Sequence, residues 1–352
     1  MLDTEFSLFH THRGFSGLKS LLFRPDKTLA RPDKFFRRNQ GVMSTQSDPS
    51  SLSVSAAAWD ALKGAYDLQV HVAPDVIDRR IDDVGLAKEF LEHGMRGFVL
   101  KSHYIPTAER AKVVGRAVPG IHSYGAITLN HSVGGLNPVA LEIAGRSGNK
   151  IVWMPTVDAA NETAGIPGSG NKKLPFWAKI QREMAEAGIT RPPITVLDAS
   201  GKISSDARQC LDLIAKHDMI LATGHLGRHE IFPLVKEARA LGVKRIIVTH
   251  AEFPSQNLTG AEQAELVSLG AIIEHCFTTY HTKKATWEEV FANIRTAGAQ
   301  AAILSTDLGQ ATNPPVAEGF AAFAQRMLDA GFSAAEVNHM AAVNPARLLG
   351  EE

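Results

Sequence analysis

Cysteine is nearly absent from this chain. Only Cys210 and Cys276 occur in 352 residues, with no CxxC pair. That excludes a disulfide framework and a thiolate zinc knuckle, and it suits a reducing cytoplasm. An excess of one charge is missing too, since 37 Lys and Arg balance 37 Asp and Glu. A dedicated nucleic-acid surface would need a basic excess, so none is expected. No apolar run approaches the ~18 residues of a membrane helix, so no membrane span is expected either. There is no GxSxG elbow, which argues against a serine hydrolase. The turn GGLNP at 134–138 does not match a phosphate-binding loop, so no nucleotide site is read in it.

What remains is material for one packed soluble domain. Hydrophobic residues make up 44% and charged residues 21%, an ordinary balance for a globular core. Residues 1–50 stand apart. They are rich in Arg, Lys and Phe, yet Asp3, Glu5, Asp26 and Asp33 spoil a transit peptide. This stretch is expected to be a disordered or mis-started extension, with translation beginning at Met43. The folded domain is expected over 55–350.

From Tyr66 onward, eight short apolar runs recur: 66–72, 97–104, 121–130, 150–159, 219–227, 245–252, 271–277 and 301–309. Each is rich in Val, Ile or Leu, as strands buried on both faces are. Helical patterns lie between most of them, at 82–93, 107–118, 229–241, 259–269 and 286–297. Thr259 and Glu262 offer a capping box for the fourth of these. Two closing helices are expected at 315–330 and 334–349. Strand and helix alternating eight times give an α/β fold, a (β/α)₈ TIM barrel. One segment breaks the rhythm. Residues 160–205 hold NETAGIPGSGNKKLPF, a short helix and a small hairpin turning at Gly201. This is an insertion after strand 4, on the catalytic face of a barrel. A lid over the site and a plain surface decoration are both open there.

The polar residues fall where barrel chemistry sits. Gln69 and His71 end the first strand, Lys101 and His103 the second, His225 the fifth, His250 the sixth and Asp307 the eighth. Active sites of such barrels are assembled at the C-terminal strand ends. Imidazoles and a carboxylate converging there can bind a borderline divalent ion. An ion of that kind lowers the pKa of a coordinated water to about 7. Any one His at a strand end is more often structural. Four such groups on strands 1, 5, 6 and 8 are far harder to obtain by accident.

With DLQVHVAPD, TGHLG, VTHAE, STDLG and the closing NPARLLG in place, the chain resembles the amidohydrolase superfamily of metal-dependent barrel hydrolases. The resemblance spans about 66–350 and looks closest to an uncharacterised branch. It implies metal ligands at His71, His225 and Asp307, with His250 either a second-metal ligand or a polariser of substrate. It makes Asp307 the acceptor of the proton from the attacking water. It implies a divalent ion, zinc first and manganese or iron next, as one or two ions, and a homo-oligomer. Two departures stand out. Gln69 replaces the leading His, and its amide oxygen is a weaker donor. Strand 4 has no Lys or Glu at its tip, where binuclear members carry a carboxylated Lys or a Glu.

Lys101, two residues before His103, is open to three readings: a cation on a substrate carboxylate or oxyanion, a bridging carbamate, or an ordinary ion pair with Asp67 or Asp75. Asp75 is a candidate to orient a ligand His. Asn130 and His131, at the end of strand 3, and Asp158, after strand 4, are candidates to meet substrate. Glu274 and Cys276 should share one face of strand 7, with His275 on the other. The expected reaction is hydrolysis of an amide, cyclic amide or lactone in a small molecule, with an anionic group favoured by Lys101, His103 and His131. Two rivals are a mononuclear decarboxylase of an unsaturated or aromatic acid, and a ligand-binding barrel impaired at Gln69.

Overall fold

The computed structural model describes residues 53–164 and 176–351. The expected extension at 1–50 and the GIPGSG stretch of the insertion lie outside the described residues.

The core is a ring of eight parallel strands in sequence order: β1 (Tyr66–Val70), β2 (Gly97–Leu100), β3 (His122–Thr128), β4 (Asn149–Trp153), β5 (Ile220–Ala222), β6 (Ile246–Val248), β7 (Ile272–Cys276) and β8 (Ala302–Ser305). The chain just past β8 bonds back to β1. Asp307 N–H donates to the Gln69 carbonyl at 2.9 Å, and His71 N–H to the Leu308 carbonyl at 2.8 Å. The ring thus leaves no free edge, the outcome expected of a (β/α)₈ barrel.

Alternation along the strands separates two environments. Tyr66, Leu68, Val99, Ile151, Trp153 and Ile303 fall in one buried cluster, joined by Leu348 and Leu349 of the last helix. The intervening residues, such as Phe98, Leu100, Val152, Leu221 and Val248, pack in separate clusters with the helices. The interior below the strand ends is therefore packed, and chemistry is confined to one end. Among the described residues no helix is long and apolar enough to cross a membrane.

The helices follow the expected capping. Asp82 accepts from Gly85 N–H at the start of Asp83–Glu92, and Thr259 and Glu262 form the capping box of Gly260–Ser268. The pattern at 334–349 differs from the single helix expected. It runs as Ala334–Asn338, a wide π-type turn at His339–Val343, and Asn344–Leu349. Pro345 explains the break, because it has no N–H to donate one turn back. The insertion after β4 carries the helices Ala160–Ala164 and Phe176–Glu186, then a hairpin-like turn with Leu197 bridging Ile203.

Candidate active site

A cavity of about 540 Å³ opens at the C-terminal ends of the strands, and His71, Lys101, His103, His225, His250 and Asp307 all line it. Glycines set two of these positions. Gly224 (φ +61°) precedes His225, and a side chain there would collide with the carbonyl of Met154. Gly309 (φ +125°) follows Asp307, and a side chain there would collide with the carbonyl of His71. The glycines in TGHLG and STDLG thus let neighbouring strand ends approach. His250 (φ +30°) and Asp307 (φ +53°) adopt left-handed backbone themselves. Such conformations cost a non-glycine residue on the order of 1–3 kcal/mol and cluster at functional sites.

His71 and Asp307 meet directly. His71 Nε2 lies 3.0 Å from Asp307 Oδ1, and Thr278 Oγ1 donates to Asp307 Oδ2 at 2.9 Å. Burial lowers the His71 pKa to about 4, with Arg79 and Lys101 adding to the effect. His71 is therefore neutral at pH 7 and donates Nε2–H to the carboxylate. Burial alone would raise the Asp307 carboxyl. The His71 hydrogen bond and the nearby Lys101 outweigh it and hold the group well below the usual carboxylate range. Asp75 acts at one remove from His71. It pairs with Arg79 at 2.6 Å, and Arg79 Nη2 lies 3.4 Å from His71 Nδ1.

On the far side, the His225 and His250 rings lie 4.8 Å apart, and His103 stacks on His71 at 4.9 Å. Burial, then the neighbouring positive groups, put His103 and His250 well below the ordinary imidazole value, so both are neutral. His103 Nδ1 bonds Thr156 Oγ1 at 2.8 Å. His250 Nδ1 is buried with no partner. Lys101 is also buried, and burial lowers its pKa against the pull of Asp307 and Glu274. Of the ordinary ion pairs considered for it, neither forms. Asp75 is taken by Arg79, and Asp67 accepts from the backbone N–H groups of Gln69 and Thr306.

Some expected participants sit elsewhere. Gln69 is fully buried, and neither its Oε1 nor its Nε2 has a partner. Asn130 spends its side chain inside the protein. Its Nδ2 donates to the His103 carbonyl and to Thr156 Oγ1, and its Oδ1 accepts from Thr156 N–H and Asp158 N–H. It clamps the end of β3 to the segment after β4, with no group left over for a substrate. His131 is absent from the cavity wall and bonds the Pro192 carbonyl at 2.8 Å. Asp158 accepts from His131 N–H and from Gln181. Glu274 and Cys276 take the face opposite His275, which bonds Glu252 outside the barrel. Ser305 donates to Glu274 at 2.7 Å, and burial raises that carboxyl to about 7.

The residue sequence reasoning missed is Glu162. It belongs to helix Ala160–Ala164, and its Oε2 lies 3.4 Å from His225 Nδ1. Burial would raise its carboxyl, but the facing His225 and the Ser255 hydroxyl hold it down at about 2. A carboxylate was sought at the tip of strand 4; it arrives nine residues later. Its one signal was its place in the first turn of the first helix after the strand. Arg79, Thr278 and Lys284 also line the cavity and carried no periodic signal. As the side chains stand, no three His, Cys, Asp or Glu among the described residues are grouped closely enough to hold an ion.

Solved structures share this fold. An amidohydrolase from Pseudomonas aeruginosa is 10% identical, with a TM-score of 0.52, covering 84% of this chain and 98% of its own. A probable dipeptidase from the same organism is 12% identical, with a TM-score of 0.53 and coverages of 84% and 96%. A putative 2-pyrone-4,6-dicarboxylic acid hydrolase from Pseudomonas putida is 15% identical, with a TM-score of 0.52 and coverages of 82% and 98%. No curated protein matches the chain. At such identities the likeness establishes the barrel and nothing finer. The model of a family of unknown function, DUF6282, matches residues 64–274. This chain therefore belongs to the DUF6282 family.

Proposed function

We propose that the protein is a metal-dependent hydrolase of the amidohydrolase superfamily, acting on an amide, cyclic amide or lactone of a small molecule. The observation that carries this reading is the convergence of His71, His225, His250 and Asp307, from four strand ends, on one cavity.

The donor set suits a divalent ion, zinc first. His71 and His250 are neutral imidazoles, the form that binds metal, and Asp307 is ionised. His250 Nδ1 is buried without a hydrogen-bond partner. Glu162 is the natural occupant of the role that a strand-4 Lys or Glu fills in binuclear relatives. His71 and Asp307 would exchange their mutual hydrogen bond for a shared cation. Bound there, the ion would supply Lewis acidity and an activated water. Asp307, which accepts from Thr278, would take the proton of the attacking water. His250 and Lys101 supply positive charge or N–H donors where the carbonyl oxygen gains charge, usually the largest single contribution in such sites. Arg79, held by Asp75, faces His71 Nδ1 while Nε2 carries the proton; a ligating His71 would carry its proton on Nδ1 and would give up that contact.

The test is turnover of a panel of small lactones, amides and cyclic amides by zinc- or manganese-loaded protein in ¹⁸O-labelled water. Label in the product carboxylate, lost on chelation, supports hydrolysis. Carbon dioxide release from unsaturated or aromatic acids without label uptake would replace it with decarboxylation.

A further inference from the structure

Two lysines line the cavity and neither meets a carboxylate. Lys101 Nζ lies 5.0 Å from the centre of the Trp153 ring, and Lys284 Nζ lies 4.0 Å from the centre of the Phe253 ring. Among the described residues neither ammonium makes a hydrogen bond or an ion pair. The third cation of the wall, Arg79, is tied to Asp75. An ammonium on an aromatic face keeps some attraction, and no protein group among the described residues takes its N–H donors. The two lysines differ in depth. Lys101 is 1% exposed, beside the reacting groups, whereas Lys284 belongs to an exposed segment at the rim.

The backbone of Lys284 is fixed. Helix Phe277–His281 ends in a doubly bonded turn: Lys283 N–H donates to the Tyr280 carbonyl at 3.0 Å, and Lys284 N–H to the Thr279 carbonyl at 2.9 Å. Lys283 takes the left-handed position of this turn (φ +57°), which glycine normally fills. The same helix begins with Thr278 beside Phe277, and Thr278 holds Asp307. One short rigid piece therefore carries both the support of the reacting carboxylate and a free cation at the rim.

We propose that Lys284 anchors a carboxylate that the substrate carries away from its scissile bond, so that the cavity selects small carboxylate-bearing amides or lactones over neutral ones. This rests on the cavity being a substrate site, and it adds a residue and a chemical class to that reading. Lys101 is left for the reacting carbonyl, and Lys284 at the rim takes the carboxylate.

The experiment is calorimetric titration of the full chain with glutarate, and with its neutral diamide as comparator. Wild type, K284M and K284R are compared, and metal content is read on the same samples. Glutarate should bind and the diamide should not. K284M should weaken glutarate at least about tenfold, the loss of one charge-assisted contact, and K284R should restore most of it. All three proteins should melt alike. Equal binding of glutarate by K284M and wild type would overturn the assignment, as would equal binding of the diamide or no glutarate binding by wild type. Metal-loaded protein with no glutarate site would sink this proposal alone. Glutarate binding through Lys284 in a protein that takes up no metal would sink the hydrolase reading and leave the anchor standing.

Discussion

Replacing Glu252 with Gln should cost the fold about 3 kcal/mol at neutral pH. Glu252 lies just after His250, buried between β7 and three helices. Its carboxylate accepts from Gln263 Nε2 (2.7 Å), Tyr280 OH (2.8 Å), Asn293 Nδ2 (3.0 Å) and His275 Nδ1 (3.2 Å). Burial would raise its pKa, but His275 and the hydrogen bonds win and bring it from 4.5 to about 2. A drop of that size on folding is worth about 3 kcal/mol. Removing one partner from a buried charged network costs a similar 3–5 kcal/mol or so. At roughly 2 °C per kcal/mol for a domain of this size, E252Q should melt about 6 °C below wild type. The sign in pH follows from the depressed pKa. The stabilisation is complete above about 4.5 and disappears as the pH falls toward 2. Thermal melts followed by circular dichroism at pH 7 and pH 3.5 should therefore show the gap narrowing in acid. A drop under about 2 °C at pH 7, or an equal gap at both pH values, would refute the network as described.

Three further outcomes follow from the geometry. G309A places a side chain against the His71 carbonyl at a φ of +125°; it should lower the melting temperature by about 6 °C or more, and a change under 2 °C would contradict that contact. N130A leaves Thr156, Asp158 and the His103 carbonyl short of partners. It should cost about 2–4 kcal/mol in urea denaturation, where a pure substrate contact would raise KM at unchanged stability. T278V removes a donor to ionised Asp307, so the acid limb of kcat/KM should move up; an unmoved limb would mean that Asp307 does not set it.

The barrel was legible because eight β-branched runs with helix signals between them admit few other closures. The strand-end positions of His71, Lys101, His103, His225, His250 and Asp307 were legible for the same reason, since period and strand end fix which way a side chain faces. Glu162 was not, because it is delivered by a five-residue helix inside an irregular insertion, where no periodicity relates sequence to direction. Asn130 shows the opposite failure. A polar residue at a strand end looks functional, yet its four hydrogen bonds all go to its own chain. Lys284 lies past β7 in a turn whose geometry depends on a left-handed Lys283, which no sequence rule anticipates. The helix break before Pro345 was visible in principle and was overridden by an apolar pattern that continued across it.

The most direct measurement is metal content by mass spectrometry on protein purified without chelators and then offered zinc or manganese, alongside H225A and D307N. Wild type should hold at least one equivalent of a divalent transition metal, lost or sharply reduced in both variants while their folds persist. Two equivalents, with one lost in E162Q, would place Glu162 among the ligands. Wild-type protein that is folded, metal-free and indifferent to added zinc and manganese would contradict the central claim.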